Sequence, residues 1–171
     1  KNEKKLQQEK FTSELLHLKA QINPHFLFNS LNSIFSLSRI HSDKTPDMVL
    51  KLSNILRYML YESEKKMTTL EDELKTINDY IDLQLMRYGE KVKVIKDINA
   101  KNTNTQITPL IILPLIENCF KHGISGSQEI SVINFKLNLE NDVLTVQTKN
   151  ICGKESVVFE KKEGIDLTNI D

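Results

Sequence analysis

Two stretches of this chain place reactive side chains at helical spacing. In LKAQINPHFLFNSLNSI, residues 18–34, His25 directly follows Pro24 inside an otherwise helical pattern. At about 100° per residue, Leu27, Leu31 and Ile34 form one apolar stripe, while His25 points away and shares a face with Asn29, Asn32 and Ser36. An imidazole on a polar, accessible edge is a nucleophile near neutral pH and can accept a transferred group. Pro24 has no N–H and crowds the carbonyl of Ala20, so a kink is expected beside the histidine. In PLIENCFKHGI, residues 114–124, Asn118, Lys121 and His122 stand at i, i+3 and i+4 and share one helix face. An amide oxygen can ligate Mg²⁺, and lysine and histidine can meet phosphate oxygens. Each pattern also has a plainer explanation: a solvated surface histidine, and the polar edge of an amphipathic helix. The residues alone leave both open.

The elements that must position these groups follow from periodicity. One long helix is expected over residues 4–40, with Leu15, Leu18 and Ile22 as its apolar edge before the proline. HSDKTPD, residues 41–47, reads as a turn, with Thr45 as N-cap and Pro46 as first helical residue. A second helix carries Val49, Leu52, Leu56 and Met59 at heptad-like spacing. A two-helix hairpin buries too little by itself, so pairing with a second copy into a four-helix bundle is expected, and with it a homodimer. The alternative is a hairpin packed within one larger fold.

Thr68 or Thr69 opens a third helix, with Glu71, Asp72 and Glu73 in its first turn, where the dipole favours negative charge. Leu70, Leu74, Ile77 and Ile81 form its buried stripe, and Gly89 is its stop. A strand over residues 92–98 follows. Thr108-Pro109 then starts a strongly apolar helix to Lys121 or His122, and residues 123–127 form a loop. Ile133, Phe135, Leu137 and Leu139 alternate as in a strand, Glu140-Asn141-Asp142 turns the chain, and Leu144, Val146 and Thr148 alternate again. The change of helix register near Met67 divides the chain into domains 1–67 and 68–171.

Composition narrows the class. The 171 residues are 39% apolar and 27% charged, as in a soluble globular protein. Lys plus Arg equals Asp plus Glu at 23 each, so no basic surplus exists to neutralise many phosphates, and direct nucleic-acid binding is not expected. Cys119 and Cys152 lack metal-ligand spacing and suggest a reducing compartment. No run of about 18 apolar residues is present to span a membrane. KNEKKLQQEK is too polar for a secretory signal and reads as a helix entering from upstream, hence a fragment of a longer protein.

LKAQINPHFLFNSLNSI resembles the phosphoacceptor box of the LytS/YehU-type sensor histidine kinases, and LPLIENCFKHGI is similar to the N-box of their GHKL ATPase fold. LRYMLYES and TTLEDELKTINDYIDLQLMRYGEKV match the linker and first ATPase helix, including Arg57 and Arg87. The resemblance implies an α+β chain. A helical-hairpin dimerisation and phosphoacceptor domain, forming a four-helix bundle in the dimer, precedes an incomplete, C-terminally truncated GHKL-type α/β sandwich ATPase domain. It implies ATP and Mg²⁺ as cofactors, His25 as phosphoacceptor, Glu117 as a catalytic acidic residue, Asn118 as Mg²⁺ ligand, and Lys121 and His122 as nucleotide contacts. Transfer to an aspartate of a response regulator, of LytTR type, would follow, in the cytoplasmic portion of a bacterial protein anchored in the inner membrane, its sensor region lying outside this chain.

The chain departs from the pattern at several positions. Asn150, within Thr148-Lys149-Asn150, stands where most ATPases of this fold read the adenine amino group with an aspartate. Gly164-Ile165-Asp166-Leu167 resembles the GIGL box, with Gly164 retained and Asp166 in place of the second glycine. Leu113 replaces a glutamine before the N-box proline, and Phe26 follows the histidine where many kinases carry an acid. These substitutions keep a rival expectation in view, a weakened or non-ATP-binding homologue acting as a dimeric docking scaffold.

Overall fold

A computed structural model describes residues 23–62, 65–124, 130–151 and 165–166 of the chain. The expected helical stretch 4–22, the tip of the 123–127 loop and Gly164 lie outside the described residues. The chain falls into two compact units, Lys1–Glu64 and Lys65–Asp171. Its class is α+β: a helical unit followed by one built on a partial mixed sheet. Among the described residues, no helix is long and apolar enough to cross a membrane.

In the first unit, α1 (Pro24–Arg39) and α2 (Thr45–Arg57) form a helical hairpin. Pro24 does not interrupt a helix but opens one. Asn23 is extended at φ −64°, ψ 108°, and its side chain accepts from the backbone N–H groups of His25 and Phe26. The expected interior kink is therefore replaced by a first-turn proline, where the missing N–H has no helical partner to lose. The turn uses His41 at φ 52°, and α2 starts at Thr45 with Pro46 in its first turn. Thr45 does not cap it: Lys44 holds the N-cap position without a side-chain bond, and Thr45 Oγ1 is buried with no partner among the described residues.

Of the expected stripe of the second helix, Leu52 and Met59 are buried, and Val49 and Leu56 are not. Met48, Leu52 and Ile55 are buried, and Val49 and Leu50 are exposed. In the run Met48-Val49-Leu50 the periodicity admits more than one register, and the hairpin selects the one beginning at Met48. After Arg57 the helix widens into a π turn, Tyr58–Glu62, which buries Tyr58 and Met59.

In the second unit, β1 (Thr68–Thr69) leads into α3 (Leu70–Tyr88). Thr69 caps α3 as expected, its Oγ1 accepting from the Asp72 N–H at 3.1 Å. The next donors are met across the chain, the Leu70 N–H by Thr105 O and the Glu71 N–H by Thr103 O. All four expected stripe residues, Leu70, Leu74, Ile77 and Ile81, are buried. Gly89 ends the helix at φ 59°, a conformation that favours glycine.

A four-stranded sheet runs β2 (Val92–Ala100), β4 (Ser131–Glu140), β5 (Val143–Ile151), β6 (Ile165–Asp166), with β2–β4 parallel and the others antiparallel. β1 pairs separately with β3 (Gln106–Ile107). The expected hairpin is present. Asn141 and Asp142, at φ 51° and 60°, make the two-residue turn that matches strand twist. Ile133, Phe135 and Leu137 alternate into the core, each 1% exposed or less.

Candidate functional site

The histidine stretch and the asparagine stretch lie in different units, and each forms its own local arrangement. His25 is exposed on the first turn of α1, its backbone N–H bonded to Asn23 Oδ1 at 3.1 Å. Asn29 Nδ2 stands 3.1 Å from both ring nitrogens, so its amide lies against the imidazole. Asn32 and Ser36 are exposed along the same edge, as the spacing predicts. The helix is anchored from the opposite side, by buried Phe26 and Ser30, rather than through the expected stripe. Leu31 of that stripe is 48% exposed, and it joins Phe28 (66%) and Phe35 (63%) in an apolar strip.

The second cluster is carried by α4 (Leu113–His122). Helix formation begins at Leu113 rather than at Thr108-Pro109, because Leu110 turns the chain at φ 59°. A non-glycine residue in that region costs on the order of 1–2 kcal/mol, so something must hold it. That group is Glu73, 1% exposed, whose carboxylate accepts from the N–H groups of Leu110 and Ile112, each at 3.0 Å. Pro114 then occupies the first turn.

Ile116, Cys119 and Phe120 anchor α4 in the core, leaving Asn118, Lys121 and His122 exposed together. Phe120 meets Tyr80 edge-on at 5.9 Å between centroids and stacks on Tyr88 at 6.3 Å. Such aromatic pairs are worth about 0.5–1.5 kcal/mol beyond area burial. The Arg87 guanidinium lies 4.7 Å from the Tyr88 centroid, and Arg57 donates to Asn54 at 3.0 Å. Glu117 is half-buried. Burial pushes its carboxyl above the usual range, and the Lys121 cation opposes this. Burial, and then the Glu117 charge, raise the Tyr80 hydroxyl strongly. Burial raises the Cys119 thiol, against a hydrogen bond from Thr148.

Asn150 is brought to the C-terminal end of α4. A Cβ at Gly123 would run into its side chain, and its Oδ1 is buried with no partner among the described residues. Among the described residues, an acceptor without a partner thus lies at the end of a helix that displays an amide, a cation and an imidazole, groups that could hold a nucleotide and its Mg²⁺. Residues 165–166 are not brought there. Their backbone pairs with Val143 and Leu144, at the other end of β5 from Asn150.

In the sequence, Glu73 is one of three acids in a first helical turn. Its signal is a carboxylate bordering the stripe of Leu70, Leu74 and Ile77, too close to the core to be solvated without partners.

The family described as histidine kinase matches residues 13–92. The sensor histidine kinase YpdA of Escherichia coli (strain K12) is 38% identical over 125 residues, covering 73% of this chain and 22% of that protein. The sensor protein LytS of Staphylococcus haemolyticus is 29% identical over 170 residues, covering 93% and 29%. The sensor histidine kinase/phosphatase LytS of Staphylococcus aureus (strain MRSA252) is 30% identical over 171 residues, with the same coverage of 93% and 29%. The chain thus spans less than a third of the length of these curated relatives. Among solved structures, the histidine kinase domain from the Erythrobacter litoralis EL346 blue-light activated histidine kinase aligns with a TM-score of 0.41 and 16% identity, over 83% of this chain and 70% of that one.

Proposed function

Because the chain belongs to the LytS-type sensor histidine kinases, we propose that it takes a phosphoryl group from ATP onto His25 and passes it to an aspartate of a response regulator. The observation that carries this reading is the placement of His25: exposed, on a first turn fixed by Asn23, with an asparagine amide against its ring. The neutral imidazole attacks the γ-phosphorus through a ring lone pair, the bond to the bridging oxygen breaks, and ADP leaves. Lys121 and His122 meet phosphate oxygens, and Glu117 helps activate the histidine. Held by Asn118, Mg²⁺ supplies charge neutralisation when bound. Asn150 accepts from the adenine amino group through the Oδ1 that otherwise has no partner among the described residues.

In this reading, residues 1–67 form the dimerisation and phosphoacceptor domain and residues 68–171 the GHKL-type ATP-binding domain. The apolar strip of Phe28, Leu31 and Phe35 supports pairing with a second copy into a four-helix bundle. The chain is the cytoplasmic portion of a bacterial sensor anchored in the inner membrane, and its response regulator is of LytTR type.

A second reading, a dimeric docking scaffold that does not bind ATP, is favoured by the neutral Asn150 in place of a carboxylate and by Leu113 before Pro114. Titration calorimetry with Mg–ATP separates the two. The kinase reading expects saturable binding that Asn118→Ala weakens. Absence of binding in the wild-type chain supports the scaffold.

A further inference from the structure

The strongest unassigned relationship in the second unit joins the start of α3 to the start of α4. Segment 103–112 runs back along the first turn of α3, and the exchange of hydrogen bonds is mutual. Loop carbonyls of Thr103 and Thr105 accept from the first N–H groups of α3, and the Glu73 carboxylate of α3 accepts from the N–H groups of Leu110 and Ile112. Ile112 is the N-cap of α4 and makes no side-chain cap bond, and the first turn of α4 carries no acidic residue. Glu73 therefore sets a carboxylate from another helix beside the start of α4, accepting from the N–H of its N-cap residue and from that of Leu110 two residues earlier. It also holds Leu110 at φ 59°, which a leucine does not adopt unaided.

We propose that Glu73 is a positioning residue for the nucleotide site, fixing the turn that launches α4 and so the place where Asn118 stands. This rests on the reading of α4 as the nucleotide-binding helix. Glu73 touches no phosphate or metal in this account. It acts through the backbone of residues 110–112.

In E73Q, one acceptor remains and an amide N–H₂ is set against a backbone N–H. Hydrogen exchange of the ligand-free chain, followed by mass spectrometry, is expected to quicken about tenfold or more across residues 110–122, the scale of losing one charge-assisted bond. Exchange in β4 and β5 is expected to stay at the wild-type rate. Mg–ATP affinity should fall about tenfold with it. Adding Leu110→Gly to E73Q is expected to recover part of both losses, because glycine adopts positive φ without strain. Unchanged exchange over residues 110–122 overturns the proposal, and so does equal acceleration or unfolding of β4 and β5, or a failure of Leu110→Gly to rescue. A wild-type chain with no Mg–ATP affinity sinks the proposed function instead, and the exchange pattern and its rescue then decide the role of Glu73 alone.

Discussion

Asn150 closes over Gly123. A side chain at position 123 would meet the Asn150 amide and the Cys119 carbonyl, and the Asn150 Oδ1 is buried without a hydrogen-bond partner among the described residues. Strand β5 thus meets the end of α4 through a glycine contact that leaves one acceptor unused. Gly123 has φ −94°, so closeness of approach rather than backbone freedom selects glycine there.

Gly123→Ala is expected to destabilise the chain by about 1–3 kcal/mol, as overpacking does. Urea denaturation measures this. Asn150→Ala is expected to lower Mg–ATP affinity with a smaller loss of stability, since it removes an unsatisfied buried acceptor. If the two variants lose stability and affinity in equal proportion, Asn150 is a packing residue and not a base reader.

Glu117 ties the stability of the chain to pH. Burial raises its carboxyl in the folded state more than Lys121 lowers it. The folded state therefore binds the proton more tightly than the unfolded state, and stability from this group falls as pH rises above the ordinary carboxylate value of 4.5. Glu117→Gln is expected to melt at or above the wild-type temperature at neutral pH. That advantage should vanish below the ordinary value, while phosphoryl transfer is reduced. Thermal denaturation across acidic to neutral pH tests it; an advantage that grows on acidification contradicts it.

Much of the fold was legible because its causes are local. Thr69 and the stripe of Leu70, Leu74, Ile77 and Ile81 lie within one helix, and Asn141-Asp142 carries its own turn chemistry. The start of α4 was not legible, because it is set by Glu73 hydrogen bonds that span 37 and 39 residues of sequence. From sequence, Pro24 looks interior to a helix, since apolar spacing continues on both sides of it. Only the extended backbone of Asn23 reveals a helix start. The grouping of Asn118, Lys121 and His122 was visible from spacing, whereas the meeting of Asn150 with Gly123 needed the sheet.

Asn23 accepts two backbone N–H groups at the first turn of α1. Asn23→Ala is expected to cost about 0.5–2 kcal/mol and to fray the turn that holds His25, lowering its phosphorylation rate. Thermal melting and a labelling time course check both. Asn23→Ser, which keeps a capping oxygen, should retain most of the stability.

The apolar strip of Phe28, Leu31 and Phe35 carries the prediction of a homodimer. Sedimentation equilibrium is expected to give twice the chain mass for the wild type and a single chain mass for Phe35→Glu. A monomeric wild type contradicts the four-helix bundle.

Incubation of the chain with γ-labelled ATP and Mg²⁺, followed by mapping of the label, decides whether His25 takes the phosphoryl group. An acid-labile, base-stable phosphoryl group is expected on the peptide containing His25, absent from His25→Ala and strongly reduced in Asn118→Ala. Label that survives His25→Ala, or nucleotide binding with no phosphoryl group on His25, contradicts it.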